Sequence, residues 1–183
     1  MKGKIAVWGI VMLGSLQITA QDRLHTSQIE ERNIQGESII FADDERFSGL
    51  VYENYESRKL RYEVIDGKKN GRYESYYENG QLKRKTTFKN DKYHGQYSEY
   101  YENGQLAIET SFDQGRYDGQ VLMYYADGTM QAKGMRLDGE FHGVQESYYT
   151  NGRLKSSQEY QFGKKQGAAL KYYENGDCWI REK

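Results

Sequence analysis

The chain has 183 residues, with Lys+Arg 26 against Asp+Glu 27, no proline, one cysteine, 20 glycines and 18 tyrosines. Near-neutral charge excludes an electrostatic nucleic-acid binder, which needs a basic stripe to displace counterions from phosphates. A single thiol excludes an intramolecular disulfide. Beyond residue 20, Leu, Ile, Val and Phe number 26 of 163, about 16 per cent, the composition of a chain that buries no core unless tyrosine makes up the deficit.

The first twenty residues read as an address. Lys2 and Lys4 precede the uncharged run IAVWGIVMLGSLQIT (residues 5–19), and after Ala20 the chain turns polar at once. This is a secretory signal pattern, and it predicts a protein that is periplasmic or secreted after cleavage near Ala20. The alternative is an uncleaved N-terminal anchor, since ~17 apolar residues just span a bilayer. Cleavage leaves 24 positive against 27 negative charges, no electrostatic support for contact with anionic lipid. Residues 21–46 are expected to form a polar tether, with 37–42 (ESIIFA) as a first strand. The acidic run Asp43-Asp44-Glu45 reads as a solvated loop.

From Gly71 the chain repeats every 24 residues. Gly71, Gly95, Gly119, Gly143 and Gly167 are each followed, five and six residues on, by a tyrosine pair: Tyr76-Tyr77, Tyr100-Tyr101, Tyr124-Tyr125, Tyr148-Tyr149 and Tyr172-Tyr173. Each pair precedes Asn-Gly or Asp-Gly: Asn79-Gly80, Asn103-Gly104, Asp127-Gly128, Asn151-Gly152 and Asn175-Gly176. Such dipeptides favour a two-residue type I′ hairpin turn, with positive φ at both positions. A second turn follows about ten residues later, at Asn90-Asp91, Gln114-Gly115, Asp138-Gly139 and Phe162-Gly163. A worn copy begins at Gly49 and carries Asp66-Gly67 as its second turn. Residues 47–183 therefore form a repeat array with units starting at 49, 71, 95, 119, 143 and 167. The expected fold is all-β, an elongated single-sheet antiparallel meander of about twelve strands, two per repeat.

With each glycine as repeat position 0, a two-residue turn at positions 8 and 9 pairs 6 with 11, 4 with 13 and 2 with 15; the second turn pairs 17 with 22. The predicted core face carries the position 6 tyrosines with Leu82, Leu106, Met130, Leu154 and Cys178. It also carries Ile108, Ile180, Phe88, Phe112, Tyr160, Tyr93, Tyr117 and Phe141. Arg136 interrupts this column and predicts a bulge or slip, and Cys178 is expected as a small buried apolar group. The opposite face is polar except at position 5, which supplies Tyr76, Tyr100, Tyr124, Tyr148 and Tyr172. At two strands per repeat these rings stand about 9.6 Å apart. Their predicted cross-strand neighbours are Lys83, Ala107, Gln131, Lys155 and Trp179. They are either packing partners on a solvated face or a binding ladder, since exposed tyrosine offers area and a hydroxyl at low entropy cost.

The unit G-x-x-x-x-Y-Y-x-N-G-x-L, closed by D/Q-G-K/R-x-x-G, resembles the MORN-repeat variant of bacterial YwqK-type antitoxin-like proteins, over roughly residues 49–183. The resemblance implies a single-sheet repeat that twists along its length and acts as a non-catalytic scaffold or binder. An antitoxin would imply a protein partner that it neutralises; the export signal speaks against a cytoplasmic toxin and leaves an immunity role in the envelope as the form open to it. YYADGTM (residues 124–130) is also similar to choline- and glucan-binding cell-wall repeats, which depend on tryptophan; here only Trp179 lies beyond the signal segment.

Catalytic chemistry finds no constellation. His25 lies in the tether, while His94 and His142 both occupy position 23, about 19 Å apart at two repeats and too far to share a metal. No nucleophile elbow, phosphate loop or calcium repeat is present. The expectation is a non-enzymatic exported module without cofactor or metal. Its expected partner is another protein of the envelope or extracellular space, with cell-wall or extracellular glycan as the alternative.

Overall fold

The computed structural model describes residues 23–53 and 59–182, so the export segment and the turn of the worn copy's first hairpin, residues 54–58, lie outside the described residues. The repeats fold as predicted into a meander. Its strands are β5 (Gly49–Glu53), β6 (Leu60–Ile65), β7 (Lys68–Tyr76), β8 (Leu82–Lys89), β9 (Lys92–Tyr100), β10 (Leu106–Asp113), β11 (Arg116–Tyr117), β12 (Gly119–Tyr124), β13 (Met130–Leu137), β14 (Glu140–Tyr148), β15 (Leu154–Gln161), β16 (Lys164–Tyr172) and β17 (Cys178–Glu182). Neighbours in sequence pair antiparallel in the sheet, except that β11 and β12 both pair with β10. β1 (Arg23–His25) completes a fourteen-stranded sheet by pairing parallel with β5.

Where a tether was expected the chain is folded. After β1 and a single 3-10 turn (Thr26–Gln28), β2 (Glu30–Ile34), β3 (Glu37–Ala42) and β4 (Glu45–Arg46) form a separate three-stranded sheet. Two tight turns build it, Gln35-Gly36 and Asp43-Asp44, each with positive φ at both residues. The acidic run is thus a turn, and Asp44 pairs with Arg32 at 2.6 Å. The small sheet works as a cap: Ile40 and Phe47 pack with Val51, Tyr62 and Val64 in one buried cluster. Burial pushes the Tyr62 phenol up to about 12. The Ile40 N–H donates to the Gly67 carbonyl at 2.8 Å. Gly67 has φ 77°, and a Cβ there would lie 2.5 Å from Ile39 Cγ2, so the cap seats only against a glycine.

The two turns of each repeat differ in kind. The second is type I′ throughout: Asn90 and Asp91 have φ 49° and 62°, Gln114 and Gly115 47° and 85°. At the Asn-Gly turn, by contrast, only the glycine has positive φ, as at Gly80 (83°). The loop there is three residues long and closed by hydrogen bonds from the Gly80 N–H to the Tyr77 carbonyl (3.0 Å) and from the Tyr77 N–H to the Gln81 carbonyl (2.8 Å). This is the hairpin with a glycine bulge. It shifts the first pair, so Tyr76 lies opposite Leu82 and position 5, not 6, faces position 11. Beyond the bulge the predicted pairs hold: Ser75 with Arg84, Tyr73 with Thr86, and Phe88 with Tyr93.

One face carries a row of rings running across the strands. Tyr62, Tyr73, Phe88, Tyr93, Phe112 and Tyr117 follow one another at centroid distances of 6.2, 5.5, 4.7, 5.2 and 4.4 Å, with Tyr97 wedged between Tyr93 and Phe112. Arg136 occupies the next place just past the expected irregularity, a register shift between Lys133 and Met135 that has counterparts in other repeats: it pairs with Phe141 and sets its guanidinium 3.4 Å from that ring's centroid. A cation thus replaces a ring in the row, an exchange that the negative face of an aromatic ring favours.

Candidate functional site

The tyrosine pair separates into two roles. Each position 6 hydroxyl donates to the backbone carbonyl of the position 5 tyrosine in the next repeat: Tyr77 to Tyr100, Tyr101 to Tyr124, Tyr125 to Tyr148 and Tyr149 to Tyr172, at 2.7 to 2.8 Å. The turn asparagine adds a second bond of the same reach, from Asn79 Nδ2 to the Glu102 carbonyl (3.0 Å) and from Asn103 Nδ2 to the Ala126 carbonyl (2.7 Å). Its Oδ1 meanwhile accepts from the N–H two residues on. Position 6 is therefore a lock between repeats rather than the core position expected of it. The asparagine is there for its amide, not for a left-handed φ.

The position 5 tyrosines, Tyr76, Tyr100, Tyr124, Tyr148 and Tyr172, lie half-buried across the polar face. Their cross-strand partners are Leu82, Leu106, Met130, Leu154 and Cys178, displaced by one residue from the expected set because of the glycine bulge. Two members are fixed by matching polar trios. Tyr76 donates to Glu74 at 2.6 Å, and Arg61 lies 2.8 Å from the same carboxylate. Tyr148 donates to Glu146 at 2.6 Å, and Lys133 lies 2.8 Å from it. The Lys133 ammonium and the Tyr148 hydroxyl hold the Glu146 carboxyl below the usual carboxylate range. Burial and the Glu146 carboxylate raise the Tyr148 phenol. Between the trios, Arg72, Lys85, Thr87, Gln96, Ser98 and Tyr100 line a shallow groove on the same face.

The sequence reading missed a change of polarity along the sheet. Met135, Leu137 and Val144 share the polar face with Lys133 and Glu146, by strand alternation. They are 46, 45 and 50 % exposed. One and two repeats earlier the same places hold Ser111, Asp113 and Gln120, then Thr87, Lys89 and Gln96. Phe162, 56 % exposed, sets its ring 5.1 Å from that of His142, the cross-strand neighbour of Met135. It occupies a turn position with φ 47°, where the other repeats use Asp, Asn or Gln. The aromatic face changes in the opposite sense: Gln145 and Gln158 stand opposite one another there. Gln145 sends its amide to the Met135 and His142 carbonyls, and Gln158 to that of Gln166. Comparing repeat columns residue by residue would have revealed both changes.

The remaining singled-out residues carry no shared chemistry. His94 Nδ1 is 3.1 Å from Asp113, out of line for a hydrogen bond, while His142 packs against Phe162. Among the described residues no three His, Cys, Asp or Glu side chains converge as metal ligands would. Cys178 is exposed rather than buried, on a strand with one neighbouring strand, and Trp179 stacks at 5.7 Å on Tyr173 rather than beside Tyr172.

No curated protein matches the chain. Residues 69–90, 93–114 and 141–161, each one repeat with its Tyr-Tyr-x-Asn-Gly loop, match a family model described as MORN repeat variant. These stretches are thus similar to repeats that commonly mediate protein or membrane interactions, in a class that is generally non-catalytic.

Proposed function

We propose that this chain is an exported, non-catalytic protein-binding module that holds another envelope or extracellular protein on its polar face. The observation that carries this reading is the cluster Met135, Leu137, Val144 and Phe162, exposed on a face whose counterparts in earlier repeats are polar. Exposed apolar groups clustered within a polar surround mark interaction sites. The half-buried ring of Tyr148 extends the cluster and those of Tyr124, Tyr100 and Tyr76 continue it along the sheet, with Tyr172 on the far side. Each gives a modest contact, and a rigid array of them sums to useful affinity for an extended partner. An immunity protein neutralising a toxin in the envelope is one form of this function.

The test is capture from an envelope extract by residues 21–183. Replacing Tyr100, Tyr124 and Tyr148 together by serine abolishes capture while circular dichroism stays that of the wild type. An unfolded triple variant would make the ladder structural and sink its binding role. N-terminal sequencing of the exported protein should begin at Gln21; a start at Met1 would favour the anchored form.

Glycan binding is the second reading, favoured by the groove around Tyr100, where a ring lies among hydroxyl and amide groups. Co-sedimentation with purified cell-wall polysaccharide, lost on Tyr100→Ala, separates it from protein binding.

A further inference from the structure

The cap displays how this chain covers its own row of rings, and the row continues beyond the cap. Cap and sheet meet through three kinds of contact. Ile40 and Phe47 lie over the first apolar residues of the row, the Ile40 N–H binds the Gly67 carbonyl, and carboxylates of the cap meet two lysines. Glu37 is 2.7 Å from Lys68, and Glu31 is 3.6 Å from Lys69. One repeat on, Gly67 and Lys68 are succeeded by Asp91 and Lys92, and the ring of Tyr93 follows.

A cleft opens where the cap stops. Its walls include Glu31, Glu37 and Ile40 on the cap side, and Phe88, Asp91 and Lys92 on the β8–β9 side. Past it the row runs on through Tyr93 and Phe112 to Tyr117, which is 40 % exposed. Lys92 stands directly opposite Lys89 across the turn. Like charges so placed destabilise a strand pair, and an incoming carboxylate relieves them.

We propose that this cleft and the adjoining rings are the seat of an extended segment of a second protein whose chemistry repeats that of the cap. Apolar side chains rest on Phe88 and Tyr93, and a carboxylate meets Lys92 as Glu37 meets Lys68. The cleft continues the cap interface, and Lys92, faced by Lys89, offers a charge that a carboxylate complements. This seat comprises the rings of the aromatic face and the turn edge at Lys89 and Lys92, two repeats away from Met135, Leu137 and Val144, so its failure leaves the polar-face reading standing, and the reverse also holds.

The probe is a fluorescent synthetic peptide with the sequence of residues 29–46, titrated by anisotropy into the protein containing residues 21–183. Saturable binding is expected, weakened about tenfold by Lys92→Glu, the scale of one close charge pair. A peptide with Glu31→Lys and Glu37→Lys should reverse that preference and bind Lys92→Glu more tightly than wild type. Lys92 is exposed, and an unchanged melting temperature will establish that its variant is folded. Absence of saturable binding overturns the proposal. So does binding that ignores Lys92→Glu but is abolished by Lys68→Glu, because the peptide would then be displacing the resident cap.

Discussion

The halves of the sheet before and after Gly119 share turns and locks but not a core. In the first, Tyr97 and Phe112 are 8 % exposed, Thr86 and Thr110 are buried beside them, and the cap closes the near end. In the second, Gln145, Gln158 and Arg136 take the aromatic face, and Met135, Leu137 and Val144 come out on the polar one. The locks do not notice: Tyr125 and Tyr149 bond the next repeat at 2.8 and 2.7 Å, as Tyr77 and Tyr101 do. The motif thus specifies the edges of the repeat, where backbone meets backbone. The strand centres are left free to carry a core in one place and a contact surface in another.

The comparison breaks most readily at the rings. Phe112→Ala should cost about 3–5 kcal/mol, the range for a buried phenylalanine. Tyr160→Ala, half-buried with its ring 4.9 Å from that of Phe141, should cost no more than half as much. Equal losses in urea melts would mean that both halves own the same kind of core. Gly67→Ala comes next, at about 2–3 kcal/mol, from the left-handed φ and the collision with the cap. Hydrogen exchange should report the loss first at residues 37–47. The lock sharpens the other side of the comparison. Tyr101→Phe and Tyr149→Phe should each cost about 1 kcal/mol, one hydrogen bond, with no difference between halves; a gap much larger than that would tie the lock to its surrounding core.

Phe162→Asn should have the smallest effect and the opposite sign. Asparagine tolerates the left-handed turn better than phenylalanine, so the variant should gain about 0.5 kcal/mol while capturing less partner. A loss of stability would make the Phe162 ring part of the fold.

Period, turn positions and meander order were all legible in the sequence, because tight turns and alternation are local properties. The Asn79 turn was misread because the asparagine's principal bond reaches a carbonyl 23 residues away, beyond what a dipeptide rule sees. Residues 21–46 read as a tether because their strands alternate charged residues. The turns are Gln-Gly and Asp-Asp, and among the described residues of the segment only Ile39 and Ile40 are buried. The ladder's place on the polar face was also legible, from alternation. Its glutamate anchors were not, since Glu74 and Glu146 recur three repeats apart with Ser98 and Leu122 between them.

The most direct test restores the polarity of an earlier repeat. In residues 21–183, Met135→Thr, Leu137→Lys and Val144→Gln together place on the second half what Thr87, Lys89 and Gln96 place on the first. Proteins retained from an envelope extract by this variant and by wild type are then compared quantitatively. The account predicts a variant that melts no lower than wild type and loses the retained partner. Undiminished retention by the folded variant, or its collapse on heating well below wild type, would contradict it.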